Sequence, residues 1–164
     1  MRSLVTYYSL TGNTRTVAEA IFEALPETKE LKPLAEVHDF SGYDLVFIGF
    51  PVHSHSVPAR VETFLKQLPA GLKTAIFITH GSIPGTRLSR EAMEQALILA
   101  SGTRILGTFS CRGKVSEQAL EILSRSPEHE LWTEMAVTAR NHPDRHDLED
   151  ARAFARWIVS LARQ

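Results

Sequence analysis

Leu4-Val5-Thr6-Tyr7-Tyr8-Ser9-Leu10-Thr11-Gly12-Asn13-Thr14 sets a strand, a polar loop and a helix start side by side. Leu4 to Tyr8 is rich in branched and aromatic residues, which suit a pleated, packed surface. From Asn13 to Leu25 the apolar residues Val17, Ala18, Ile21, Phe22 and Leu25 form one helical stripe, closed by Pro26. Between the two, Ser9, Leu10, Thr11, Gly12, Asn13 and Thr14 crowd three hydroxyls, an amide and a glycine together. Gly12 permits a tight turn and close backbone approach to a ligand. Successive N–H groups meeting a helix N-terminus favour an anion, and the hydroxyls of Ser9, Thr11 and Thr14 can donate to phosphate oxygens. Such a loop can hold a phosphate monoester without a lysine, and Arg15 is placed on the outer helix face. Helix capping alone explains one or two of these residues, but not the whole loop.

The alternation continues downstream. Ala35-Glu36-Val37-His38 reads as a short strand. Leu45 to Phe50 is apolar on both faces, as a central parallel strand should be. Pro58 starts a helix through Val61, Phe64, Leu65 and Leu68. Thr74–Thr79 is a buried strand, and a helix from about Ser89 to Ala100 carries Ala92, Met93, Ala96, Leu97 and Ala100 on one face. Thr103–Cys111 is the last strand. The final helix is expected to begin near Asp147 as its cap, with Leu148, Ala151, Phe154, Ala155, Ile158, Leu161 and Ala162 buried. Lys114–Arg140 is helical in composition and lies outside the alternation; it is expected as an added element on the sheet's edge. The pattern predicts an α/β fold, a doubly wound five-stranded parallel sheet in one domain over 1–164, with a helical extra segment after the fifth strand. Ligands of such sheets bind beyond the carboxyl ends of the strands, which directs attention to the loops after Tyr8, Phe50, Thr79 and Cys111.

Composition narrows the function classes. The 164 residues carry 18 Lys+Arg against 19 Asp+Glu, so the near-neutral charge offers no electrostatic reason to expect nucleic acid or an anionic membrane. A lone cysteine, Cys111, excludes an internal disulfide or a CxxC pair. The N-terminal stretch is too polar for a signal peptide and Leu45–Phe50 is far too short to span a bilayer, so no membrane insertion and a cytoplasmic location are expected.

The Ser9–Thr14 loop resembles that of the flavodoxin family, whose motif after the first strand is Ser/Thr-x-Thr-Gly-x-Thr. Ser9, Thr11, Gly12 and Thr14 match it in full. The resemblance runs from Leu4 to Cys111 and again over the last helix. It implies strand order 2-1-3-4-5 with FMN at the strand ends. It implies that Pro51, Val52, His53, Ser54 and His55 lie along one side of the isoalloxazine. The loop from His80 through Gly81, Ser82 and Gly85 then covers the other side and meets the pyrimidine edge through backbone N–H groups. Two departures stand out. Neither loop offers a Trp or Tyr, although a histidine face can stack on a flavin and respond near neutral pH. No glycine lies between Pro51 and Arg60, where relatives flip a peptide toward the reduced ring, which removes a basis for a strongly stabilised one-electron state.

The resemblance implies an electron carrier between redox partner proteins, with no catalytic side chain required. The alternative on the same fold is an FMN-dependent NAD(P)H reductase of quinones or other small acceptors, in which His53, His55 and His80 bind substrate or supply protons. Cys111 is expected to be a small buried hydrophobe. His142, His146 and Asp147 lack a firm metal-ligand spacing, so no metal is expected. A phosphorylation receiver lacks its acidic pair here, a Cys-x5-Arg phosphatase fails because Glu117 stands where the arginine belongs, and no Gly-Lys-Ser/Thr occurs.

Overall fold

The computed structural model describes residues 1–26 and 28–164. Five strands, β1 (Ser3–Tyr7), β2 (Lys29–Pro33), β3 (Leu45–Pro51), β4 (Lys73–His80) and β5 (Arg104–Arg112), form one sheet of order β2-β1-β3-β4-β5. All four pairings are parallel. The helices are α1 (Asn13–Ala24), α2 (Ala59–Lys66), α3 (Arg87–Leu99), α4 (Glu117–Ser124), α5 (Glu130–Thr138) and α6 (Arg145–Ala162).

Parallel strands need helical crossovers, and these cover both faces of the sheet. On one face Val5, Phe47 and Phe77 pack with Val17 and Ile21 of α1 and Phe154 and Ile158 of α6. On the other Leu4, Ile48, Phe50, Ile76 and Ile78 pack with Val61 and Phe64 of α2 and Ala96 of α3. Gly49 makes the first arrangement possible: a Cβ there would stand 2.0 Å from ring carbons of Phe77.

Three sequence expectations are corrected. The second strand is Lys29–Pro33, and Ala35–His38 instead overlaps a 3₁₀ turn over Leu34–Glu36. An edge strand does not need apolar residues on both faces, and this one is held by charges. Lys29 Nζ donates to the C-terminal carbonyls of Phe22 and Leu25, and Glu30 pairs with Arg2 and Lys32. The last helix begins at Arg145 with Asp144 as N-cap. Asp147 sits at the third position, and its carboxylate reaches back to the Asp144 N–H, closing a capping box. The extra segment does not lie along the sheet's edge. It packs over the carboxyl ends of β4 and β5, with Val115 and Ala136 against Gly81.

Gly49→Ala should destabilise the fold by about 1–3 kcal/mol through overpacking against Phe77, whereas Gly102→Ala, which meets open space, should stay within about 0.5 kcal/mol. Urea unfolding of both variants checks this.

Candidate functional site: a hydroxyl-rich cradle opening into an apolar chamber

Between β1 and α1 the chain turns through Gly12, whose φ of +96° lies in the left-handed region. Gly12 is the N-cap of α1, so no side chain caps this helix end, and the first turn holds no acidic residue. Helix capping therefore does not account for the loop, and the N-terminal donors of α1 remain available to an anion. Ser9 Oγ accepts from the Gly12 N–H at 3.1 Å, which rounds the loop into a cradle. Thr11 is exposed. Thr14 is buried, with its hydroxyl 2.8 Å from that of Thr79 at the end of β4. Asn13 points across the cleft and donates to the Lys114 carbonyl at 2.8 Å. Arg15 pairs with Glu19 on the outer face of α1.

The loop after β3 narrows to a two-residue hairpin. His53 and Ser56 exchange backbone hydrogen bonds of 3.0 and 2.9 Å across Ser54 and His55. Both tip residues have positive φ, 47° and 65°, as a type I′ turn demands. Without glycine this backbone costs on the order of 1–2 kcal/mol per residue. The loop is anchored by Val52 N–H to the Thr79 carbonyl and by Val57 N–H to Gln95 Oε1. His55 packs on Trp132 of α5, with ring centroids 4.4 Å apart.

The loop after β4 is organised from beneath. His80 is buried, its Nδ1 3.0 Å from Ser82 Oγ and 3.1 Å from the Ser82 carbonyl, while its Nε2 is closed off from solvent without a partner. Burial, reinforced by the positive charge of Arg112, pushes the imidazole down to about 4, so the ring is neutral at pH 7. Arg112, at the end of β5, donates to the carbonyls of Ser82 (3.1 Å) and Met135 (2.6 Å) and to Thr138 Oγ1 (2.8 Å). One guanidinium thus ties the β4 loop to the C-terminal turn of α5, where a cation also suits the helix dipole.

Two connected hollows result at the carboxyl end of the sheet. A cleft of about 240 Å³ is lined by Ser9, Thr11, Asn13, Thr14 and Lys114, among others. It shares Val52, His53, Gly81, Val115 and Ala119 with a chamber of about 650 Å³, whose remaining walls include His55, Leu88, Ile122, Trp132 and Met135. A wider hollow of about 840 Å³ between Val37–Asp44 and Pro69–Lys73 lies at the opposite ends of β3 and β4, away from the strand ends where ligands of such sheets bind.

A family model described as a flavodoxin domain matches residues 4–156. The chain belongs to the flavodoxin family. A flavodoxin-like domain-containing protein, BilS, from Clostridioides difficile (strain CD3) is 30% identical, covering 99% of this chain and 98% of the relative. A flavodoxin from the domain Archaea superposes with a TM-score of 0.66 at 14% identity over the whole of both chains. A flavoprotein from Lactobacillus acidophilus NCFM, solved in complex with FMN, does so at 0.55 and 22% identity, covering 66% of this chain and 92% of that one.

Against this flavodoxin frame, the site residues named from the sequence divide in four. Ser9, Leu10, Thr11, Asn13, Thr14, Pro51 and His80 line only the cleft, Val52, His53 and Gly81 line both hollows, and Ser54, His55 and Ser82 line only the chamber. Gly12, at the turn, and Gly85, exposed with φ +79°, line neither. Lys114, Arg112 and Trp132 carry no local signal in the sequence; the fold brings them to the carboxyl ends of the strands, although Val115, Ala119, Ile122 and Leu123 show the spacing of an amphipathic helix. Cys111 is core, its thiol pushed well above the ordinary range by burial and by Asp147, Asp144 and Asp150. His142 and Asp147 meet at 2.6 Å beside Asp144, and the same carboxylates close the capping box of α6. His146 stands outside that cluster.

Arg112→Met should loosen α5, raising amide exchange over 130–138 and costing about 2 kcal/mol of stability for the lost charge-assisted bonds. Because the folded His80 resists protonation, the unfolded chain binds the extra proton below about pH 6.5. The His80 share of stability is then intact above that pH and lost progressively toward pH 4. Between pH 7 and 5 this loss should be about 2 kcal/mol, and His80→Gln should remove it in parallel urea titrations.

Proposed function

We propose that residues 1–164 act as one flavodoxin-like domain that holds FMN and carries electrons between redox partner proteins. The observation that carries this is the uncapped N-terminus of α1, set in a hydroxyl-rich cradle that opens into an apolar chamber. The donor set fits the group. Ser9, Thr11 and the first-turn N–H groups of α1 hold the phosphate, and Lys114 adds positive charge on the same cleft. Val52, His53 and Gly81 lie where the cleft passes into the chamber, and the ring belongs beyond them. FMN, when bound, supplies one- and two-electron chemistry; the protein binds it, orients it and limits water around it. No described helix is long and apolar enough to cross a membrane.

A second reading, an FMN-dependent NAD(P)H reductase of small acceptors, is favoured by the α4–α5 wall. That wall encloses the chamber and gathers His53, His55 and His129 on it, where imidazoles can bind or protonate a substrate.

Titration with FMN, followed by flavin fluorescence and absorbance, tests the cofactor. Thr11→Ala should weaken FMN binding about 5- to 10-fold by removing a hydroxyl from a charged phosphate. Gly12→Val should weaken it further, because a β-branched residue does not adopt φ +96° without strain. Unchanged affinity in both variants rejects the cradle. Stepwise reduction then separates the readings: direct bleaching by NAD(P)H without a second protein supports the reductase, and its absence the carrier.

A further inference from the structure

The two loops that flank the chamber bring no Trp, Tyr or Phe to it; its aromatic wall comes from α5. Trp132, Met135 and Ala136 follow one another at i, i+3 and i+4 and so share one helix face. That face lines the chamber together with Val52 and Gly81. Two histidine rings lie against Trp132: that of His129 is nearly parallel to it (9°) at 5.2 Å, and that of His55 leans on it at 4.4 Å. Its helix is fixed in turn by Arg112, through the Met135 carbonyl and Thr138, and by the packing of Ala136 and Val115 over Gly81. The chain's other tryptophan, Trp157, lies on α6 beside Phe154 and Gly107, half exposed, and lines neither hollow.

We propose that Trp132 is a flavin-binding residue: the α4–α5 segment is a wall of the ring site, and Trp132 is the aromatic surface against which the isoalloxazine packs. This rests on the FMN reading above. An aromatic side chain locked by neighbouring rings is preorganised, so it loses little freedom on binding a planar ligand. It also supplies the stacking surface that the loops after β3 and β4 lack. The hairpin tip gains a role as well, because His55, at positive φ, is the residue that braces Trp132.

The test compares FMN with lumiflavin, which has the ring but neither the ribityl chain nor the phosphate, both followed by quenching of flavin fluorescence. Trp132→Ala should raise the Kd of both ligands by the same factor, about 5- to 10-fold. Trp132→Phe should retain most of the affinity, and Trp157→Ala should change neither. Thr11→Ala should weaken FMN alone, which separates ring from phosphate. Far-ultraviolet circular dichroism checks each fold; if Trp132→Ala does not fold, Trp132→Leu carries the same expectation. Equal FMN affinity in wild type and Trp132 variants overturns the inference and leaves the FMN reading standing. So does a loss confined to FMN. A folded wild type that binds no FMN overturns the FMN reading itself, and this inference with it.

Discussion

Five parallel strands need a crossover between each pair, and every crossover returns the chain to the same end of the sheet. That constraint organises everything else in this molecule. It buries both faces of β1, β3 and β4, which is why Leu45–Phe50 is continuously apolar. It also collects the carboxyl ends of the strands and the N-termini of the crossover helices on one rim. The strand order reverses direction at β1, and there the loops after β1 and β3 diverge to opposite faces. The cradle at Ser9–Thr14 stands at that point because the topology leaves a gap there.

The rim is a place where local preference gives way to the demands of a site. The helix end at Gly12 goes without a capping side chain. Ser54 and His55 occupy a backbone region that favours glycine or asparagine. His80 Nε2 is buried without a partner. Each is a local cost on the order of a kcal/mol or more, set against the large apolar burial on both faces of the sheet. Arg112 then draws the β4 loop and α5 together through carbonyl oxygens, a task for a planar, permanently charged donor set.

Much of this was legible in the chain. The polar loop before an amphipathic helix, the strongly apolar central strands and the alternation of elements each rest on short-range patterns. What escaped was encoded by charge or by long-range contact. β2 has no apolar alternation, since Lys29, Glu30 and Lys32 make ion pairs and helix-end hydrogen bonds that no window over 29–33 reveals. Asp144 and Asp147 both look like caps in sequence, and only the backbone turn at the start of α6 decides which one begins the helix. Thr14 reads as a phosphate ligand from its neighbours; its hydroxyl is drawn to Thr79, distant in sequence and adjacent across the rim.

By itself the sequence determined most of the elements and the hydroxyl-rich character of the first loop, because periodicity, turn residues and hydroxyl spacing act over a few residues. Only the tertiary structure decided where residues 114–140 go. Their amphipathic faces call for burial without naming a partner. The partner, the rim around Gly81, Val52 and His55, exists only once β3, β4 and β5 are side by side. Trp132 is therefore an isolated aromatic in the chain and a wall of the chamber in the fold.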